Sequence, residues 1–210
     1  MKPILYLLSI TFLFFSACKS DGGKFIGSAK PKVETQTLED TLLAVSHRGI
    51  SFSNGTSEFL PFAGDTTAII MVMVRHAEQD TTEEDPVLTE VGQARAERLA
   101  AILQDYPVSG IFTNAYIRTV KTVQPTAYQH QQAIQLYQEE EAIPFIQQVL
   151  QHQQGRYILI VGRANTVPQM LNELTGETKF SEIDKTDYSN IYMVAVGEGG
   201  KAVKVIRALY

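Results

Sequence analysis

An unbroken apolar run at residues 69–74, which ends directly at Arg75 and His76, is the feature that most constrains this chain. So short a run indicates a β-strand buried on both faces, as in a parallel sheet. Ligands of open α/β sheets bind beyond the carboxyl ends of the strands. The run therefore places Arg75 and His76 where a functional site is expected, although two polar residues at this position usually mark only a strand that reaches the surface.

Strand and helix patterns alternate from Ala68 onward. Further strands are predicted at residues 110–113, 133–137, 157–161, 191–196 and 202–208. Helices are predicted around residues 96–103, from about 116 with a disturbance near Pro125, at 142–150 and at 167–174. This alternation predicts an α/β fold with a mostly parallel central sheet and helices on both faces.

The region before this core contains Asn54-Gly55 between two short stretches, residues 51–53 and 57–59. An Asn-Gly dipeptide favours a tight hairpin turn. The sequence therefore predicts a short β-hairpin as an N-terminal addition to the core. We expect the domain to cover residues 41–210, with its core at residues 68–210.

The N-terminus has the pattern of a secretory signal, with Lys2, an apolar run at residues 4–15 and then Ser16-Ala17-Cys18. The run is shorter than the roughly 20 residues of a membrane-spanning helix. Residues 15–18 also resemble the bacterial lipobox, which implies cleavage after residue 17 and lipidation of Cys18. Because Cys18 is the sole cysteine, it has no partner for an internal disulfide. A plain signal peptide with an incidental cysteine is the alternative.

The lipoprotein interpretation predicts a protein outside the cytoplasm, anchored to a bacterial membrane in the periplasm or at the outer membrane. Residues 18–40 contain Gly22-Gly23 and Pro31 without periodicity, which predicts a flexible tether. The formal net charge is −5 and no block of lysine or arginine stands out, which argues against a nucleic-acid partner. Any anion must therefore be bound by a local pocket. The oligomeric state is left open.

Three arginines, Arg75, Arg118 and Arg163, each follow a predicted buried strand. Guanidinium groups suit the paired oxygens of a phosphoryl group and stay charged at any relevant pH. Together they would keep a neighbouring imidazole neutral, with a lone pair free to attack phosphorus. At the third of these sites, the backbone N–H groups of a helix start and Asn165 add further anion-binding groups. The alternative is that each arginine pairs separately with a surface carboxylate.

Four motifs in this order resemble the signature of the histidine phosphatase (phosphoglycerate mutase-like) superfamily. They are Val74-Arg75-His76-Ala77-Glu78 and the stretches at residues 88–96, 113–122 and 161–168. The resemblance implies an α/β sandwich around a mainly parallel sheet, with His76 as the nucleophile that becomes phosphorylated. It also implies that Arg75 and Arg118 hold phosphate oxygens, while Thr119 and Thr122 support the helix that carries Arg118. It implies no metal or other cofactor, and no cluster in the sequence has metal-ligand spacing.

The sequence departs from this family at Arg163, where the resemblance implies a second catalytic histidine. Ala164 follows it, which makes the acid-phosphatase branch a poor fit. A histidine at this position donates a hydrogen bond as charge builds in the transition state. A permanently charged arginine stabilises the bound anion as well as the transition state, and such uniform binding does not accelerate the reaction. We therefore expect a pocket that binds phosphate well and turns over slowly or not at all.

The proton donor is less clearly marked than the nucleophile. The resemblance implies a glutamate soon after the third strand of the core, where Glu139, Glu140 and Glu141 lie. Glu139 is the candidate general acid, with Asp187 as a weaker one. Acidic residues just before a helix are also favourable whatever the function.

The sequence thus predicts a phosphomonoester hydrolase that forms a phosphohistidine and acts on a small phosphorylated substrate. The main alternative is a catalytically impaired relative that binds phosphate or phosphorylated ligands without hydrolysing them. A phosphomutase ranks third.

Overall fold

A strand whose seven residues are all buried, β4 (Ile69–Arg75), lies inside the sheet, as the apolar run predicts. The computed structural model describes residues 32–62, 65–81, 84–153, 155–197 and 202–210. The predicted signal peptide, Cys18 and most of the predicted tether lie outside these ranges. Within them, no helix is both long enough and apolar enough to cross a membrane.

The elements alternate along the chain in the predicted order. The strands before and after β4 are β1 (Lys32–Val45), β2 (Gly49–Phe52), β3 (Ser57–Phe59), β5 (Gly110–Thr113), β6 (Ile134–Leu136), β7 (Tyr157–Gly162), β8 (Asn190–Val196) and β9 (Ala202–Leu209). The α-helices are α1 (Glu90–Ile102), α2 (Ile117–His130), α3 (Ala142–His152) and α4 (Thr166–Thr175), and a short 3-10 helix spans Glu139–Glu141.

The described strands form one sheet in the order β3-β2-β1-β9-β8-β4-β7-β5-β6. The four strands β4, β7, β5 and β6 run parallel to their neighbours, so their carboxyl ends meet at one edge. On the other side of β4, strand β8 runs antiparallel to β4, and strand β9 runs antiparallel to β8. The predicted α/β fold is confirmed, with a parallel centre inside a mixed sheet.

Helices cover both faces of the sheet because β4 presents apolar side chains to each face in turn. Ile70 and Val72 lie in the core that includes Leu99 of α1. Met71 lies in a second core that includes Ile146 of α3. Alternate residues of a strand point to opposite faces, so an all-apolar strand is stable only when both faces are buried.

The N-terminal addition is part of the sheet and extends beyond the predicted hairpin. Strands β2 and β3 pair antiparallel around Gly55, whose φ of 83° suits the turn at Asn54-Gly55, as predicted. The predicted tether is wrong from residue 32 onward, because residues 32–45 form β1, which pairs parallel with β9. Backbone hydrogen bonds to β9 order this polar segment, although its composition favours a loop.

The predicted disturbance of the second helix is also wrong, since α2 runs through Pro125 without interruption. A proline inside a helix removes the hydrogen bond to the carbonyl four residues earlier, here that of Lys121. Lys121 is exposed, so solvent can hydrogen-bond to its carbonyl instead.

Candidate active site

His76 directly follows β4 and is almost fully buried, with 4% of its surface exposed. Its backbone N–H donates to the carbonyl of Gly162 at the end of β7, 2.9 Å away. Its ring Nδ1 lies 2.8 Å from the carbonyl oxygen of Ala77. Only a protonated ring nitrogen can bond to a carbonyl, so Nδ1 carries the proton and the lone pair remains on Nε2.

The surroundings of His76 keep its imidazole neutral. Burial is the main cause that lowers the pKa of His76 to about 4, and the positive charges of Arg75, Arg118 and Arg163 contribute to the same shift, against the opposing effect of the Ala77 carbonyl. All three predicted arginines therefore lie near enough to act on the same imidazole. At neutral pH the Nε2 lone pair is available for attack on an electrophile.

Arg75 is held at the end of β4 by neutral groups rather than by carboxylates. Its Nη1 donates to the backbone oxygens of Asp184 and Asp187, at 2.7 and 3.1 Å. Its guanidinium carbon lies 4.1 Å from the centre of the Tyr188 ring, which also meets His76 edge-on. Its buried Nε has no acceptor among the described residues. Arg75 therefore keeps its full positive charge and a free donor at the site.

Arg118 lies in the first turn of α2 and is equally buried. Its Nη1 is 3.1 Å from Oδ1 of Asp85, and its guanidinium carbon lies 4.3 Å from the centre of the Tyr116 ring. Asp85 also accepts the backbone N–H of Ile117 and so caps the helix. Within the described residues the Nε of Arg118 likewise lacks an acceptor. Buried donors of this kind fit an anion that enters the pocket.

Two threonines hold α2 in place. Thr122 connects it to the end of β4, and Thr119 connects it to the segment that follows β5. Thr122 accepts the backbone N–H of Ala77 at 2.9 Å and donates to the carbonyl of Arg118 at 2.7 Å. Thr119 donates to the carbonyls of Asn114 and Tyr116, both at 2.9 Å. These bonds are in keeping with the supporting role that the resemblance implies, and they connect the segments that carry His76 and Arg118.

Arg163 and Glu139 reach the site as an ion pair. Nη1 of Arg163 makes a close contact with Oε2 of Glu139. Tyr116 donates its hydroxyl to the same oxygen, and Nδ2 of Asn165 donates to Oε1, both at 3.0 Å. Arg163 was predicted to join the other two arginines on a phosphate, but its charge is largely balanced by Glu139. Asn165, predicted to bind phosphate, also uses its amide on Glu139.

The geometry argues against Glu139 as the general acid. Burial raises the pKa of Glu139, but the hydrogen bonds from Asn165, Arg163 and Tyr116 outweigh it and hold the pKa below its usual value. An ionised carboxylate has no proton to donate. The weaker candidate, Asp187, accepts hydrogen bonds from Ser189 and Asn190, which together outweigh burial and lower its pKa too.

Three residues at the site were not singled out by the sequence. Tyr116 lies two positions before Arg118, within a quoted motif, so its place in the motif was a usable signal. Asp85 lies in the loop after β4, and Tyr188 lies just before β8. Both reach the arginines by long-range packing, which no local pattern reveals. Among the described residues, no group of histidine, cysteine, aspartate and glutamate has a metal-binding arrangement.

Comparison with known proteins shows which protein family this chain resembles. Residues 71–143 match the model of the histidine phosphatase superfamily (branch 1). This segment includes His76, Arg118 and Glu139 and ends before Arg163. A search of curated proteins finds no match.

The solved structures with a similar fold include a mycobacterial glucosyl-3-phosphoglycerate phosphatase. It has a TM-score of 0.56 and 12% identity, covering 68% of this chain and 98% of the other. The same phosphatase with inorganic phosphate gives a TM-score of 0.53 at 10% identity, covering 67% and 96%. The SixA protein of Agrobacterium tumefaciens, a proposed phosphohistidine phosphatase, gives a TM-score of 0.50 at 18% identity, covering 67% and 95%. The predicted resemblance to phosphoglycerate mutase-like histidine phosphatases is confirmed by these matches.

Proposed function

We propose that this protein is a phosphatase that hydrolyses a small phosphorylated molecule through a phosphohistidine at His76. The observation that carries the proposal is a buried, neutral imidazole whose free Nε2 lies near the charges of Arg75 and Arg118. The superfamily match and the phosphatases of similar fold support the same activity. The phosphate complex of the mycobacterial protein supports a phosphorylated ligand.

The reaction follows from the charges at the site. Arg75 and Arg118 hold the phosphoryl oxygens, and Nε2 of His76 attacks phosphorus. The bond from phosphorus to the leaving oxygen breaks, and its electron pair goes to that oxygen. Water then attacks the phosphorylated His76, the N–P bond breaks with its electrons returning to Nε2, and inorganic phosphate leaves.

The full chain in detergent, supplied with p-nitrophenyl phosphate, tests this activity. We expect release of p-nitrophenolate, and we expect His76→Ala to reduce kcat by at least about 1,000-fold because the nucleophile is lost. The control is His152→Ala, at an exposed histidine at the end of α3, which should leave the rate unchanged. Equal rates for the wild type and His76→Ala would contradict the proposal.

A second candidate is a protein that binds phosphorylated ligands without hydrolysing them. The Arg163–Glu139 pair favours it, because Glu139 is then not free to protonate the leaving group. Binding of inorganic phosphate with no turnover would support this candidate. Arg163→His distinguishes the two: a gain in activity marks Arg163 as the cause of impaired turnover, and a loss marks it as a working residue of the phosphatase.

We also propose that the protein acts outside the cytoplasm, anchored by acyl chains on Cys18. The basic start, the apolar run at residues 4–15 and the position of the sole cysteine support this. Metabolic labelling with a radioactive fatty acid should label the wild type, whereas Cys18→Ser should be unlabelled and released from membranes. An unlabelled wild type would contradict lipidation.

A further inference from the structure

The Glu139 carboxylate accepts hydrogen bonds from three side chains, and these bonds limit the chemistry of the site. Arg163 and Tyr116 bond to one of its oxygens, and Asn165 bonds to the other. Only 15% of the Glu139 side chain is exposed, so these bonds replace most of its solvation. Protonating Glu139 would leave Arg163 without its partner. The carboxylate is therefore a fixed anion that orients Arg163.

Three other carboxylates near the arginines of the site also accept hydrogen bonds from protein donors. Asp85 caps α2 through the N–H of Ile117 and pairs with Arg118. Asp187 is bound within its own turn by Ser189. Glu78, two residues after His76, is held by a fork of three bonds from Arg95, between 2.8 and 3.0 Å long.

The remaining donors at the site hold their protons. The hydroxyl of Tyr116 already donates to Glu139, and this bond raises the pKa of Tyr116. Arg163 contributes a guanidinium, a group that does not act as an acid in proteins. Its charge nevertheless reaches His76, so it can stabilise an anion that forms close to the imidazole.

We infer that this site cleaves phosphoryl compounds whose leaving group departs as a stable anion, namely acyl phosphates, phosphoric anhydrides and aryl phosphates, and does not cleave phosphate esters of aliphatic alcohols. The inference rests on the proposed phosphatase function. When Nε2 of His76 attacks phosphorus, the bond to the leaving oxygen breaks and the oxygen keeps the electron pair. The proton that neutralises it comes later from water, since the committed carboxylates supply none.

The leaving group therefore carries most of its negative charge in the transition state, which in phosphoryl transfer is loose. Carboxylic acids and phenols ionise far more readily than aliphatic alcohols. A general acid removes most of this difference, and among the described residues none of the carboxylates discussed above is free to act as one. The rate should thus depend steeply on the acidity of the leaving group.

A leaving-group series tests the inference on the full chain in detergent, with His76→Ala as the background. The substrates are acetyl phosphate, p-nitrophenyl phosphate, phenyl phosphate and glycerol phosphate. We expect kcat/KM for p-nitrophenyl phosphate to exceed that for phenyl phosphate by on the order of 100-fold, with glycerol phosphate at background. Acetyl phosphate should match or exceed p-nitrophenyl phosphate.

Glu139→Gln shows whether Glu139 contributes as an acid. We expect this variant to lower kcat/KM for both aryl phosphates by the same factor, so that their ratio is unchanged. A wild-type ratio near one, rising in Glu139→Gln, would identify Glu139 as the acid and overturn the inference. Turnover of glycerol phosphate close to that of phenyl phosphate would also overturn it while leaving the phosphatase function intact. No turnover of acetyl phosphate or p-nitrophenyl phosphate would overturn both.

Discussion

Arg75 and Arg95 show how single contacts create a local positive site in a chain whose formal net charge is −5. Arg95 is held by the carboxylate of Glu78, so its charge is neutralised. Arg75 is held by two backbone carbonyls and the face of Tyr188, which bind its guanidinium group but carry no net charge. Its positive charge is therefore available to an anion, and Arg118 adds to it.

The buried neutral His76 should make stability depend on pH. Its pKa is about 4 in the folded protein and near 6.5 when unfolded. Between pH 6.5 and pH 4 the unfolded chain takes up a proton that the folded protein does not bind. Titration of His76 therefore leaves the free energy of unfolding unaffected above about pH 6.5 and lowers it progressively as the pH falls towards 4. We expect the wild type to lose about 2 kcal/mol from this group between pH 7.5 and pH 5.

Urea unfolding at the two pH values measures this loss, with His76→Gln as the matched variant that cannot titrate. The wild type should lose about 2 kcal/mol more than His76→Gln over this interval. Identical pH dependence in the two proteins would show that His76 is not held neutral.

The residues whose placement could be predicted from the sequence are those whose positions follow from their own strand. Arg75 and His76 come directly after an apolar run, so their place at the sheet edge follows from local pattern. The pairing of Arg163 with Glu139 joins the end of β7 to the segment after β6, 24 residues apart. No local pattern reports which carboxylate a guanidinium will meet, so the pairing of Arg163 with Glu139 could not be predicted.

Helix α2 positions Arg118, and one threonine connects this helix to the strand that carries His76. Thr122 accepts the N–H of the fully buried Ala77 and donates to the carbonyl of Arg118. One turn further on, Thr126 is also fully buried, but its hydroxyl has no partner among the described residues. The two threonines thus form a matched pair, only one of which has a bond to lose.

Thr122→Val should destabilise the protein by about 1–3 kcal/mol, because the buried N–H of Ala77 loses its acceptor. Thr126→Val should be neutral or slightly stabilising, because it removes a buried hydroxyl that makes no bond. Urea unfolding measures both, and phosphate binding should weaken in Thr122→Val alone. Equal losses in the two variants would show that the Thr122 bonds do not connect α2 to β4.

The sequence predicted which helices and strands are present better than it predicted where each of them begins and ends. Two helix caps carry residue types that favour these positions: Thr89 accepts the N–H of Gly92 as the N-cap of α1, and Gly176 closes α4 with a φ of 64°. Strand β1 was missed because its polar residues resemble a loop, and its order comes from pairing with β9, far along the chain. Pro125 was misjudged because the exposure of its partner carbonyl depends on tertiary packing.

At the scale of the whole molecule, β1 makes the N-terminal region part of the same core as the site. Leu42 of β1 is fully buried in the core that also contains Val72 and Leu99, whereas its neighbour Leu43 is 53% exposed. Residues 32–62 therefore contribute to the stability of the domain and are more than an appendage to the predicted core at residues 68–210.

Leu42→Ala should destabilise the protein by about 2–5 kcal/mol through lost apolar burial and the cavity left behind. Leu43→Ala changes the same side chain one position away and should cost less than about 0.5 kcal/mol. Thermal or urea unfolding compares the two. A small, equal effect of both substitutions would show that β1 is not packed into the core.

The most direct measurement is the capture of the phosphorylated protein during turnover. The full chain is mixed with acetyl phosphate or p-nitrophenyl phosphate and quenched in alkali, and its peptides are analysed by mass spectrometry. A neutral His76 between Arg75 and Arg118 predicts one phosphoryl group on the peptide that contains His76, lost on acid treatment and absent from His76→Ala. Substrate hydrolysis with no phosphoryl group on His76, or a phosphoryl group that persists in His76→Ala, would contradict it.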